Sequence, residues 1–217
     1  MSLVFHAASG SPYVWRVWLA LEYRSVPYEL KMLSFDRGDL KTPEFRALNP
    51  RGRVPTIWHD GFALYESAAI VEYIDEIDAP GPRMFPTDAR GRAIVRRMVR
   101  EADQYFAEAL EALAAQLLFT PQAQWSESAI EHARTALIAE LARWERPEPT
   151  MAGDFLAGAL SAADFTLYPE LALVLRIAKR KEGLNLDAAL GPRIAAWRDR
   201  MQALDIVQHT WPPHWRK

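Results

Sequence analysis

The sequence predicts an α/β domain followed by an all-helical one, and three observations carry that prediction. Residues 1–78 alternate short apolar, strand-like runs with helical stretches. Residues 79–86, Ala-Pro-Gly-Pro-Arg-Met-Phe-Pro, hold three prolines and a glycine, a density that no regular element survives. After residue 88 apolar residues recur at helical spacing to near the end of the chain. The expected organisation is a domain over 1–78, a linker over 79–88 and a helical domain over 89–217.

The first domain opens with Leu3 to His6, an apolar strand that enters the core at once. Small residues then make a turn at 7–11, with Pro12 at the first helical position and Ser11 as its cap. Val14, Val17, Trp18 and Leu21 follow at helical period. Residues 26–33 return to strand character through Tyr28, Leu30 and Met32. A charged loop at 36–39 leads into a short helix over 42–48. Val54 to Trp58 and Phe62 to Tyr65 are two apolar runs, and the Asp60-Gly61 pair between them signals a hairpin. Glu66 and Ser67 begin the next helix. The order strand, helix, strand, helix, hairpin, helix suits a small mixed sheet with helices on both sides.

In the second domain, one helix of about eight turns is expected over 89–118 and another over 126–144, ended by Pro147-Glu148-Pro149. A third starts after Ser161, with Ser161 as cap and Asp164 returning its carboxylate to the cap backbone. Shorter helices follow at 185–190 and 192–204, then a tail with Trp211 and Trp215. Met84 and Phe85 are expected to pin the linker by packing inward.

Composition narrows the chemistry. The chain has 217 residues, half of them apolar, and a net charge of -2. That balance gives no reason to expect nucleic acid or an anionic membrane as partner. There is no cysteine, so disulfides, thiolate metal sites and cysteine nucleophiles are excluded. The five histidines lack metal-ligand spacing, and no metal is expected. The first residues show no basic and then apolar pattern of a signal peptide, and no apolar run approaches a membrane span. The expected setting is cytoplasmic.

The stretch from Asn49 to Ile77 carries the functional signal. Pro55 cannot donate to a ladder, so its strand is an edge or its backbone serves a ligand. Glu66, Ser67 and the open amides of the first helical turn make a polar, donor-rich spot. A backbone edge facing a helix N-terminus suits an extended peptide with an amino-acid head group. Glu66 would take its ammonium, and Ser67 with nearby amides its carboxylate. The bland alternative is a hairpin and a helix start without a ligand.

Asn49-Pro50, Val54-Pro55 and Glu66-Ser67 at this spacing resemble the glutathione site of the cytosolic glutathione transferases. The element order before them resembles the thioredoxin fold, with Ser11-Pro12-Tyr13-Val14 standing where glutaredoxins carry Cys-Pro-Tyr-Cys. Both sulfur positions are replaced, which removes dithiol exchange and leaves a hydroxyl. Trp15-Arg16-Val17 and the Ser161–Asp164 capping box extend the resemblance over nearly the whole chain. It implies a thioredoxin-like domain followed by a helical domain, glutathione as co-substrate, and a homodimer. The arginines at 90, 92, 96, 97 and 100 are candidates for ion pairs across such an interface or for a solvated face.

The match is to the serine-type classes, whose serine donates a hydrogen bond to the glutathione thiolate, and it falls on Ser11. Ser9 is the alternative, and a plain cap is the structural reading of Ser11. The resemblance assigns Val54 and Pro55 to the cysteinyl unit, Glu66 and Ser67 to the γ-glutamyl end, and Lys41 and Arg53 to the glycyl carboxylate. Arg51 is the neighbour that competes with Arg53. An electrophile pocket is expected between the first loop and the helical domain, walled by Phe35, Tyr105, Phe106 and Phe119 and closed by Trp211 and Trp215. The implied activity is a glutathione S-transferase that attacks small apolar electrophiles, as in detoxification. The alternatives are a binding or scaffold protein on the same fold, or an isomerase related to the zeta class. The zeta-type relatives share the Ser-x-x-x-Trp-Arg-Val layout, but the cysteine they carry is replaced here within Ser11-Pro12-Tyr13.

Overall fold

A computed structural model describes residues 3–148 and 152–215. These described residues fall into two compact units, one within residues 1–85 and 204–217 and one within residues 86–203. The C-terminal segment thus joins the first unit rather than the helical domain to which the sequence reading assigned it.

The first unit holds a four-stranded sheet in the order β2-β1-β3-β4. Its strands are β1 (Leu3–Ala7), β2 (Tyr28–Met32), β3 (Thr56–His59) and β4 (Phe62–Tyr65). β1 is buried along its whole length, as a central strand covered on both faces must be. The helix α1 (Pro12–Tyr23) provides the crossover that lets β2 lie parallel to β1, while β3 and β4 run antiparallel as a hairpin. The hairpin turn has Asp60 at φ 48° and Gly61 at φ 89°, the two left-handed residues that match strand twist. The short α2 (Pro43–Leu48) precedes β3, and α3 (Ser67–Glu76) follows β4 and packs against α1.

Arg24, at the end of α1, is buried and serves the carbonyl end of α3. It donates to the carbonyls of Ile74 at 3.3 Å and Ile77 at 2.9 Å, and also to that of Gly81. A Cβ at Gly81 would stand 2.3 Å from the Tyr23 carbonyl oxygen, so the chain can pass this close only as glycine. Met84 and Phe85 are both buried, in keeping with their expected role as pins.

The second unit is helical. The single long helix expected over 89–118 is interrupted: α4 (Ala89–Glu101) and α5 (Ala107–Leu117) are separated by a π-helical turn at Ala102–Phe106. Such wide turns insert one extra residue into a helix without breaking its path. α6 (Glu127–Trp144) and α7 (Ala162–Ala178) follow, then α8 (Pro192–Ala203). The segment at 185–190 is a 3₁₀ turn at Leu186–Ala189. Beyond it α9 (Asp205–Thr210), which returns to the first unit, was not anticipated.

The box at the start of α7 matches expectation and reaches further. Asp164 is fully buried and accepts from the Ser161 amide at 2.9 Å, the Ser161 hydroxyl at 2.9 Å, the Leu156 amide at 3.0 Å and Trp197 Nε1 at 2.8 Å. One carboxylate therefore ties the α7 N-terminus to the preceding loop and to α8. Asp164→Ala leaves these donors buried without an acceptor and is expected to cost about 3 kcal/mol or more in urea unfolding.

His6 lies in the middle of β1, 7% exposed, and its Nδ1 has no hydrogen-bond partner among the described residues. Burial, reinforced by the charge of Lys31, lowers its pKa from the usual 6.5. Below that value the unfolded chain takes up a proton that the folded chain resists, so this group erodes stability as pH falls. His6→Asn is expected to lose less stability than the parent between about pH 7.5 and about pH 5.5, as read by urea midpoints.

Candidate functional site

The ladder registers gather the chemistry at one end of the sheet. Ala7 stands beside Met32, His6 faces Thr56, and Thr56 faces Tyr65. The loop after β1, the bend before β3 and the residues after β4 therefore share that end. Ser11, Val54-Pro55 and Glu66-Ser67 are brought together by pairing between strands that are far apart in sequence.

Ser11 is the N-cap of α1, with extended backbone angles and Pro12 at the first helical position. Its Oγ accepts from the Val14 amide at 3.4 Å. That bond uses a lone pair and leaves the hydroxyl proton available to a second acceptor, so capping and donation do not exclude each other. The site is also the positive end of the α1 dipole. Ser9 is exposed and has a different partner: its Oγ lies 2.8 Å from His214 Nδ1.

The Val54–Pro55 peptide bond is cis. Pro55 is buried, Val54 is half-buried, and the Val54 amide and carbonyl have no hydrogen-bond partner among the described residues. The bend is held from inside by Asn49, which is 2% exposed. Its Nδ2 donates to the Arg53 carbonyl at 2.7 Å and to Thr56 Oγ1 at 3.1 Å, and its Oδ1 accepts from the Arg51 amide at 3.0 Å. Asn49 is the hub of the whole loop.

Glu66 has a left-handed φ of 72° and precedes α3 as its N-cap, so the helix begins at Ser67. The Glu66 carboxylate is exposed, 3.8 Å from Arg51 Nε, and the next residue, Ser67, is buried. Arg51 is thus the basic residue that faces Glu66. Lys41 ends the short turn Asp39–Lys41, and Arg53 is exposed on the bend. The Leu40 carbonyl lies so near Gly52 that a Cβ there would approach within 2.9 Å, which sets the Lys41 turn alongside the bend that carries Arg53.

The expected pocket residues divide. Phe35 is 59% exposed on the loop after β2. Trp211 packs edge-on against the buried Trp15, ring centroids 5.2 Å apart. In the helical unit Tyr105 and Phe119 are 54% and 81% exposed. Tyr105 borders a cleft of about 430 Å³ whose lining includes Arg97, Glu101, Arg143 and Trp144, a charged rather than an apolar wall. Phe106, expected as a pocket wall, lies instead at the end of the π-helical turn at 0% exposure and presents no surface to a ligand.

Three contributors escaped the sequence reading. His214 lies 205 residues from Ser9, and no local signal links them. The hub role of Asn49 depends on its burial, and the left-handed backbone of Glu66 has no marker in a residue that ordinarily avoids it.

Residues 10–77 match the family model described as glutathione S-transferase, N-terminal domain. The chain is 28% identical over 210 residues to glutathione S-transferase A of Pleuronectes platessa, covering 95% of this chain and 90% of that protein. It is 31% identical over 203 residues to maleylacetoacetate isomerase of Mus musculus, covering 91% and 87%. Among solved structures, a glutathione S-transferase from the Antarctic clam Laternula elliptica superposes with a TM-score of 0.83 at 28% identity, over 100% of this chain and 95% of that one. With the two-unit fold and the geometry at the end of the sheet, these likenesses establish that the chain belongs to the glutathione S-transferase family.

Proposed function

We propose that the protein is a glutathione transferase in which the Ser11 hydroxyl stabilises the glutathione thiolate for attack on a small, largely apolar electrophile. The observation that carries this reading is the convergence of Ser11, the unpaired Val54 backbone and the Glu66-Ser67 helix start at one end of the sheet. In it, the Val54 amide and carbonyl pair with the cysteinyl unit, and Pro55 shapes the bend. Ser67 and the first amides of α3 receive the γ-glutamyl carboxylate, while Glu66 receives the ammonium. Lys41 and Arg53 take the glycyl carboxylate, charge-assisted contacts that are stronger than neutral ones. Glutathione is the co-substrate, and no metal takes part. The same proposal makes the enzyme a homodimer working in the cytoplasm, and Phe35, Tyr105, Phe119 and Trp211 its candidate contacts to the electrophile.

A free thiol with a pKa near 8.5 is mostly protonated at neutral pH. Each unit by which the site lowers that value corresponds to about 1.4 kcal/mol of preference for the thiolate. A hydroxyl donor and the N-terminal amides of α1 act in the same direction. Ser11 need not ionise; it only has to point its proton at the sulfur.

The relation to the mouse isomerase favours a second reading, a glutathione-dependent cis–trans isomerase. There the thiolate would add to an activated double bond and leave again after rotation. Both readings use the same thiolate and differ in the acceptor. A third, a binding or scaffold protein without chemistry, predicts no turnover whether or not glutathione binds. Assays of maleylacetoacetate isomerisation beside a panel of aryl halides and enones separate the three.

Ultraviolet titration of bound glutathione tests the activation step. The wild-type protein is expected to lower the thiol pKa, and Ser11→Ala to raise it by roughly one to two units from that value. An unshifted thiol in the wild type, or no change in the variant, would sink the mechanism. Asn49→Ala removes the hub of the 49–56 loop and is expected to weaken glutathione binding about tenfold in calorimetry, with a stability loss of about 1–3 kcal/mol. Unchanged affinity would show that the bend does not need its internal support.

A further inference from the structure

The C-terminal segment ends against the loop that carries Ser11. α9 packs on α1, and Trp15 Nε1 donates to Thr210 Oγ1 at 2.8 Å in the core. Trp211 and Trp215 then set their rings edge-on to Trp15, at 5.2 and 5.6 Å. This aromatic cluster fixes the path of the chain on either side of His214.

His214 meets the first loop in two ways. Its Nδ1 lies 2.8 Å from Ser9 Oγ. Its ring edge also occupies the space above Gly10: a Cβ there would stand 2.9 Å from Cε1 and 3.0 Å from Nε2. Gly10 has a φ of 90°, so the backbone favours glycine there, and the imidazole edge fills the space a side chain would otherwise take.

We propose that His214 is a positioning residue for the thiol end of the site. By bonding Ser9 and covering Gly10 it fixes the loop leading to Ser11, and with it the direction from which the Ser11 hydroxyl meets the sulfur. The inference rests on the reading that the glutathione sulfur lies at Ser11.

The chemistry of the pair favours positioning over proton transfer. A serine hydroxyl both donates and accepts, so either neutral tautomer of the imidazole, and the imidazolium too, can keep the bond to Ser9. The bond is exposed, and alone it would hold little. Here packing of the flanking tryptophans already meets the entropic cost of ordering the tail, so the bond acts on the loop. A glutamine at 214 offers the same donor and acceptor without titrating.

The test uses the full chain and the variants His214→Ala, His214→Gln, Ser9→Ala and the double variant Ser9→Ala/His214→Ala. The bound-thiol pKa, by ultraviolet titration, is expected to rise by roughly half to one unit in each alanine single. The double is expected to match His214→Ala, which already removes both the bond to Ser9 and the cover over Gly10, and His214→Gln to stay near the wild type. A thiol pKa unmoved in both singles, or single effects that add in the double, would overturn the assignment. A wild-type protein that does not lower the thiol pKa counts against the Ser11 mechanism instead. The positional role is then read in ligand-free protein from hydrogen exchange of the Gly10 and Ser11 amides. Exchange about 2- to 10-fold faster in both alanine singles supports it, and unchanged exchange overturns it.

Discussion

Thr56 faces His6 across the antiparallel β1–β3 ladder, and the arrangement of the candidate site follows from that pairing. A strand's side chains alternate in direction, so a shift of one residue would turn every inward side chain of β3 outward. The buried, apolar β1 makes such a shift costly and so pins the register. With His6 opposite Thr56, the chain leaving β1 and the chain entering β3 emerge at the same end of the sheet. The hairpin then returns Tyr65 beside Thr56, and Glu66-Ser67 is delivered to the same place. The candidate site is thus a consequence of sheet pairing, and its loops need only be held in position.

Holding them is the work of buried polar groups. Asn49 satisfies the backbone of the 49–56 loop from within, and the Val54 backbone has no partner among the described residues. Arg24 does similar service at the opposite end of α3, by satisfying carbonyls that the helix leaves open. Asp164 serves the helical unit in the same manner, as a single acceptor shared among a cap, a loop and a tryptophan. In each case one side chain replaces several waters, and its truncation leaves buried groups without partners.

Two helix starts, those of α1 and α3, point their open amides toward the end of the sheet where the strands place Ser11 and Ser67. In the proposed reading these two termini serve an anionic tripeptide with a carboxylate at each end and a nascent thiolate in the middle. The serine at the first is a cap by its lone pair and, in the proposed mechanism, a donor by its proton. Economy of this kind lets a structural residue acquire chemistry without a change in fold.

Much of this was legible in the residues themselves. The Asp60-Gly61 turn, the Ser11-Pro12 helix start and the Ser161–Asp164 box are local signals whose physics acts over a few residues, and each element appears where those signals place it, while the proline-dense residues 79–88 form no regular element. The break in the long helix at 102–106, the burial of Phe106 and the return of α9 to the first unit had no such signal. Nor did the role of Asn49 or the meeting of Ser9 with His214, which the chain joins only by closing a loop of more than two hundred residues. The sequence by itself determined most of the elements and which residue types stand at their ends, because caps, turns and periodicity are short-range. Only the tertiary structure decided which of those ends meet, because register and packing are set by burial summed over the whole sheet and core.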